Sequence, residues 1–452
     1  ISDIHGEYGA FLHILKNASG VVREKVQLWL GDHLTQQGIS ELCTLIYYPS
    51  EKLRLLREAG VTTDEWYRKT LTDLVYLARK LSSKYTRSKV RKAMPSDFAY
   101  ILDELLHAQT DEDDNQHQYH ETILDTLLDI KNGNAFIIAL SALIKRLAVD
   151  RLHVVGDIFD RGPRADSILD MLMEHHSVDI EWGNHDILWM GAASGSLCCI
   201  AAVVRNCLAY NNMQILENGY GIPLRPLTLF AEKLYPDLTP EKAALQAVSI
   251  MMFKLEGRLI KRNPSFQMED RLLLERISPA QKTVEMDNYV WPIRDIALPT
   301  IDWADPYALT EEEQEVMDGL QDAFLHSLRL RAHVEFLYTR GRLYRRYNGN
   351  LLFHGCIPLD ENGEFLEKQL GNQTLSGKAL MDYADSMARK AYFTGRQDAL
   401  DFMWYLWCGD DSPVCGRKIK TFARFFIPDE ESWHEPRNPY YDYYNDEKVC
   451  EK

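Results

Sequence analysis

The sequence lacks CxxC spacing, long apolar runs, repeats and an excess of basic residues, and each shortage excludes a class of protein. Its eight cysteines (Cys43, Cys198, Cys199, Cys207, Cys356, Cys408, Cys415, Cys450) are scattered over 452 residues. They therefore read as reduced thiols of a cytoplasmic protein, not as a disulfide framework or zinc knuckle. The longest apolar stretch, 197–204, falls far short of the roughly 20 residues that a membrane span needs. No charged-then-apolar leader pattern is present. Lys and Arg total 51 against 67 Asp and Glu, a formal charge of −16. A field of that sign does not attract nucleic acid or an anionic membrane, so neither is expected as a partner. A phosphorylated substrate would need the potential inverted locally, and bound metal ions are the obvious device. The chain also lacks an initial Met. It opens on Ile1-Ser2-Asp3-Ile4-His5-Gly6 and closes on Val449-Cys450-Glu451-Lys452, and so reads as a fragment cut at both ends.

What is present is the composition of a folded protein, 46% hydrophobic and 26% charged, too long for one domain of about 100–200 residues. Residues 1–34 predict a strand end, a turn at Gly6, a helix near 8–16 and a strand-like run at 26–30. From 39 to 147 the pattern is helical, with Leu74, Leu77 and Leu81 on one face and Phe98, Ile101, Leu102, Leu105 and Leu106 on another. The acidic run 111–114 predicts an exposed loop. Organisation then changes. A short strand at 152–155 ends in Gly156-Asp157, and a helix follows over 164–176. A second strand at 178–182 ends in Gly183-Asn184-His185-Asp186. This is a βαβ unit with polar residues at both strand ends, where α/β sheets place their sites. Residues 187–330 are again helical with loops. Asn348-Gly349 and Asn362-Gly363 signal type I′ hairpins, and between them a strand delivers His354 before Gly355. Residues 372–407 read as helical, and the tail is rich in Tyr, Pro and acids.

Three segments end a strand with metal-ligating side chains: Asp3-Ile4-His5-Gly6, Gly156-Asp157-Ile158-Phe159-Asp160-Arg161-Gly162 and Gly183-Asn184-His185-Asp186; His354 adds a fourth. Carboxylate, imidazole and amide oxygen without thiolate suit Mn, Fe or Zn better than Ca. An extended Asp-x-His puts both side chains on one side of the strand, and the neighbouring glycines allow sharp turns. Asp-x-His alone is weak, and Gly31-Asp32-His33 is a decoy in this same chain. GDxxDRG followed by GNHD across a strand–helix–strand interval is far more specific.

In this order the motifs resemble the calcineurin-like metallophosphatases. The 151 residues between His5 and Asp157, the run 353–360 and the tail segments Trp404–Gly409 and Pro436–Tyr441 narrow the resemblance to the class III fructose-1,6-bisphosphatases of Firmicutes, over essentially the whole chain. The resemblance implies an α/β fold: a metallophosphatase core of two β-sheets sandwiched by helices, with a large mainly helical insertion. Its expected parts are residues 1–35, the insertion 36–148, and 149–452 with the end of the core missing. It implies hydrolysis of fructose 1,6-bisphosphate to fructose 6-phosphate, with two Mn²⁺ ions, Mg²⁺ or Fe being open. Asp3 and His5 would bind the first metal, Asp157 would bridge, and Asn184 and His354 would bind the second. His185 would protonate the leaving oxygen, oriented by Asp160, and Arg161 would clamp the phosphate. Asp186 is expected to hydrogen-bond within its own turn. A further metal-binding histidine is expected beyond residue 452, since His434 lies in no strand-end context. A homo-oligomer stays open.

A second phosphate needs a second anion pocket, for which Arg164, Arg345, Arg346, Arg417, Lys418 and Lys420 are the candidates. His153, His175 and His176 read as structural, and His117 and His120 as members of a solvated loop. Two rivals stay open: another phosphatase of the same fold, acting on phosphoproteins or nucleotides, and a catalytically impaired scaffold.

Overall fold

The computed structural model describes residues 1–107 and 114–452. Contacts divide the chain into two units, one formed by Ile1–Tyr8 with His153–Lys452 and the other by Gly9–Leu152.

The second unit is helical. Its longest helix, Asp64–Ser82, starts where Thr63 accepts a hydrogen bond from the Trp66 N–H at 3.2 Å, and it buries Leu71, Leu74, Leu77, Ala78 and Leu81. Helix Gly133–Ala148 supplies Phe136, Ile137, Leu140, Leu143 and Ile144 to the same apolar core. The strand-like reading of 26–30 is wrong: Val21–Leu30 is a helix whose buried residues Val22, Val26 and Leu30 recur every four positions. A five-residue window is too short to reveal that period. Asp32 and His33 follow this helix in a turn, so the decoy motif ends no strand. Residues 111–113 of the acidic run lie outside the described residues. The backbone of His117 and His120 is helical, within Asp114–Asp129, not a loop; their side chains lie outside the described residues.

The first unit is mixed α/β with small sheets. Strand Val178–Glu181 is central in a three-stranded sheet, between Leu152–Val155 and Gly341–Arg342. It pairs in parallel with the latter through Ile180 and Gly341. Ser2 bridges Val155 in parallel, which brings the Asp3–His5 segment beside the end of that strand. Hairpin Tyr344–Tyr347/Asn350–Phe353 turns through Asn348 and Gly349 with φ of 49° and 78°, the expected type I′ geometry. Asn362-Gly363 is not of that type. Only Gly363 has positive φ, and Asp360 Oδ1 accepts the N–H groups of Asn362 and Glu364. Strand Gln373–Leu375 precedes helix Gly377–Thr394, so the helical stretch begins later than the sequence predicts. Long apolar helices, Leu197–Ala209 and Pro240–Arg262, bury most of their length. Every cysteine except Cys450 is buried, and all are free. Among the described residues no helix is long and apolar enough to cross a membrane.

Candidate active site

The strand ends converge as the sequence predicts, but by a different backbone route. Asp3 and His5 are not extended: their φ angles are 53° and 50°, so the shared-face argument fails for them. Asp157 (φ 54°) and Asp160 (φ 116°) are also left-handed. Four non-glycine residues in that region at one place mark a backbone that the surrounding structure holds against its local preference. The hydrogen bonds doing so are His5 N to Asp157 O at 2.8 Å, Gly6 N to Ile158 O at 2.9 Å and Gly162 N to His5 O at 2.7 Å.

Asp3, His5 and Asp157 bring one ligand atom each within 4.8 Å of one another, as a single ion would require. His5 Nε2 lies 3.7 Å from Asp3, 3.8 Å from Asp157 and 3.7 Å from Asp160. His354 Nε2 lies 3.4 Å from Oδ2 of Asp157, the same oxygen that His5 approaches. The His354 Nδ1 donates to Val155 O at 3.1 Å, which fixes the ring with Nε2 facing the carboxylate. Buried Asn184 donates its amide to Trp407 O at 3.3 Å, so its amide oxygen is free for the cleft that it lines. This donor set of one cleft, two carboxylates, two imidazoles and an amide oxygen, fits hard or borderline divalent cations.

Beside it, Asp160 splits its two oxygens. Oδ1 is 3.4 Å from His185 Nε2, and Oδ2 is 3.1 Å from Arg161 Nε. Asp186 does more than close its own turn. Fully buried, it accepts Gly183 N at 3.0 Å, Ile158 N at 2.9 Å and Phe159 N at 3.2 Å, so one carboxylate ties together the loops after two neighbouring strands.

The electrostatics follow from burial opposed by neighbours. Burial resists ionisation of Asp157, but hydrogen bonding to His354 and His5 outweighs it and holds the carboxyl well below its usual range. Burial likewise resists the charged form of His354, yet Asp157 raises it to about 9. Hydrogen bonding to Asp157 also raises His5. His185 goes the other way: burial lowers it, with Asp157 and Asp160 opposing. Burial, with repulsion from Asp157, raises Asp186 to about 6, against the N–H groups of Gly183 and Phe159.

Two glycines matter for space. A Cβ at Gly156 would lie 2.4 Å from His354 Nδ1, and one at Gly183 would lie 2.2 Å from Asp157 Oδ1. Gly156 also has a φ of 74°, whereas Gly183, at −84°, is there for room and not for its turn.

Asp3, His5, Asp157, Asp160, Arg161, Asn184, His185 and His354 line one cleft of about 750 Å³, together with Arg205, Tyr210, Arg417, Arg424 and Arg437. Of the basic candidates read from sequence, Arg417 alone lines it. Arg164 bonds Ser167, and Arg345 pairs with Asp179 and Glu181. Lys418 pairs with Asp270 and Lys420 with Asp287, while Arg346 stands exposed on its hairpin. Sequence reasoning missed Arg205, Arg424 and Arg437 because they come from separate segments with no shared motif. His153 lies 3.6 Å from Asp179 and packs on Tyr347, His175 packs on His176, and His434 is exposed.

The whole chain, residues 1–452, matches the family model described as Firmicute fructose-1,6-bisphosphatase. It is 47% identical to the class 3 fructose-1,6-bisphosphatase of Clostridium botulinum (strain Loch Maree / Type A3), with 100% of this chain and 71% of that protein aligned. The class 3 enzyme of Clostridium acetobutylicum is likewise 47% identical with the same coverage. No solved structure matches the chain.

Proposed function

From the premise that this chain belongs to the Firmicute fructose-1,6-bisphosphatase family, we propose how its cleft serves that chemistry. The chain hydrolyses fructose 1,6-bisphosphate to fructose 6-phosphate and phosphate, on a calcineurin-like core with an inserted helical unit. The observation that carries the site assignment is the cluster of Asp3, His5 and Asp157, with His354 against Asp157, in the cleft that Asn184, His185, Asp160 and Arg161 also line. Asp3 and His5 would hold one divalent cation, Asn184 and His354 a second, and Asp157 would bridge them; manganese is our choice. When bound, two such ions supply charge neutralisation at the phosphate and acidify a water nucleophile.

The remaining work falls to side chains. Arg161, held at Nε by Asp160, turns its remaining guanidinium donors to the phosphate oxygens. Water adds to phosphorus as the ester P–O bond breaks, and His185 gives its proton to the departing sugar oxygen. Because burial disfavours the imidazolium, Asp160 is needed to keep it accessible near neutral pH. A cytoplasmic setting accords with the scattered free thiols.

The test is phosphate release from fructose 1,6-bisphosphate with and without Mn²⁺, with bound metal counted in the same sample. Manganese-dependent release of one phosphate, at two ions per chain, is expected. Full activity after exhaustive chelation would remove the cations from the reading. Two bound ions without release would remove the substrate.

A further inference from the structure

The cleft that holds the acidic constellation is lined by charges of both signs. Its lining carboxylates are Asp3, Asp157, Asp160 and Glu435, and the wall also carries Arg205, Arg417, Arg424 and Arg437. In a chain of net charge −16 this is a pronounced local inversion. We propose that Arg205, supported by the other three arginines, forms a distal subsite for the phosphate that is not cleaved, and thereby selects a sugar bisphosphate over a monophosphate. This rests on the hydrolase reading above.

Arg205 is the anchor. It rises from the buried helix Leu197–Ala209, and its one side-chain hydrogen bond runs to Asn206 Oδ1 at 3.2 Å. Among the described residues its Nε is buried without a hydrogen-bond partner and forms no ion pair, and the carboxyl whose charge acts on it, Glu256, is pushed toward its neutral form by burial. A guanidinium partly withdrawn from water without a close ion-pair partner is costly unless an anion completes it. A phosphate does so in fork geometry. The neighbours are arranged to share that anion. Arg424 is fixed at its Nε by Glu435 at 3.3 Å and stands over Trp433. Arg417 and Arg437 are paired through their backbones in an antiparallel bridge, so their side chains enter the cleft from one place. Tyr210 joins the two ends, since Arg161 lies 5.7 Å over its ring and it lines the same cleft as Arg205. About 750 Å³ is ample for a hexose bisphosphate.

The experiment uses the manganese-loaded chain with Arg205→Ala and, at more exposed positions, the double variant Arg417→Ala/Arg437→Ala. KM and kcat are measured on fructose 1,6-bisphosphate and on p-nitrophenyl phosphate, which has no second phosphate. Binding of fructose 6-phosphate, which keeps the distal group, is measured by calorimetry. Arg205→Ala should raise KM for the bisphosphate and weaken fructose 6-phosphate by about 10- to 100-fold, the weight of one or two charge-assisted hydrogen bonds. That loss should exceed the loss on the aryl phosphate at least tenfold, with partial recovery in Arg205→Lys. Unchanged fructose 6-phosphate affinity in both variants, or equal losses on both substrates, would overturn the subsite. If the wild-type chain cleaves the aryl phosphate but not the bisphosphate, the fructose-bisphosphate reading fails instead, and the fructose 6-phosphate titration still decides the subsite.

Discussion

Residues 9–152 bury Leu, Ile, Val and Phe almost to the exclusion of charge, with Asp103 the exception among the described residues, whereas the other unit buries Asp157, Glu181, Asp186, Lys254 and Glu313. Backbone strain is divided in the same way. The helical unit has Ala18, Ser19 and Lys131 at positive φ, all away from any cluster of ligating groups, while the other unit, besides turn residues such as Asn211, Gln267 and Asn348, places Asp3, His5, Asp157 and Asp160 there within one site. The contrast shows where free energy is committed. In one unit it goes into apolar packing that any well-patterned helix set can achieve. In the other, part of it is used to hold charged groups in places they would not choose.

Five substitutions bear on that contrast, the largest effect first. Asp157→Asn should abolish turnover and lower the metal content, because one carboxylate faces both His5 and His354; near-normal turnover would show that the buried charge is merely structural. His185→Ala should slow hydrolysis of the sugar phosphate by roughly 10²–10⁴ at unchanged metal content. Its effect on an aryl phosphate should be smaller, since that leaving group hardly needs a proton. Equal losses on the two would remove the acid role.

Lys254→Met leaves Glu313, 2.7 Å from Lys254 Nζ and almost wholly buried, without its counter-charge. A loss of about 3–5 kcal/mol in urea unfolding is expected; a loss under about 1 kcal/mol would mean that the charges in this unit are not what its stability depends on. Leu74→Ala in the helical unit should cost about 2–5 kcal/mol through its cavity, with kcat per folded molecule unchanged. A fall in kcat would break the division between the units.

The smallest effect concerns Glu256. Burial, against Arg271, the Trp404 indole and Arg205, raises its pKa to about 7 from an ordinary 4.5. Because the folded chain holds this proton more tightly than the unfolded chain, the stability it contributes is whole below about pH 4.5. It is lost as the pH rises through about 7. Glu256→Gln should therefore flatten the decline between pH 5 and pH 8, by at most about 3 kcal/mol. Parallel stability curves for the two proteins would refute this.

Much of this was legible in the sequence, for reasons that differ by region. Leu74, Leu77 and Leu81 declare their helix because a long period repeats. Val22, Val26 and Leu30 do not, because a run viewed only from 26 hides the first member of the face. The candidate ligands were readable because His5, Asp157, Asn184 and His354 each sit next to a glycine, with Asp3 two residues before His5. Their backbone was not, since the left-handed φ of Asp3 and His5 is imposed by Asp157, Ile158 and Gly156, more than 150 residues away. The same distance hides the reach of Asp186 to residues 158 and 159. Arg205, Arg424 and Arg437 carry no local signal, since charge on a helix or tail ordinarily means solvent.

Gly156 and Gly183 supply no donor, yet each is where a single methyl group would strike a group at the centre of the cleft. A mutational scan that scores donors alone would undercount the site, and a library built on conservative small-to-small exchange would stall first at these two positions. The chemistry is bounded by hydrogen atoms, and the boundary would show as intolerance to alanine where alanine is usually the mildest change.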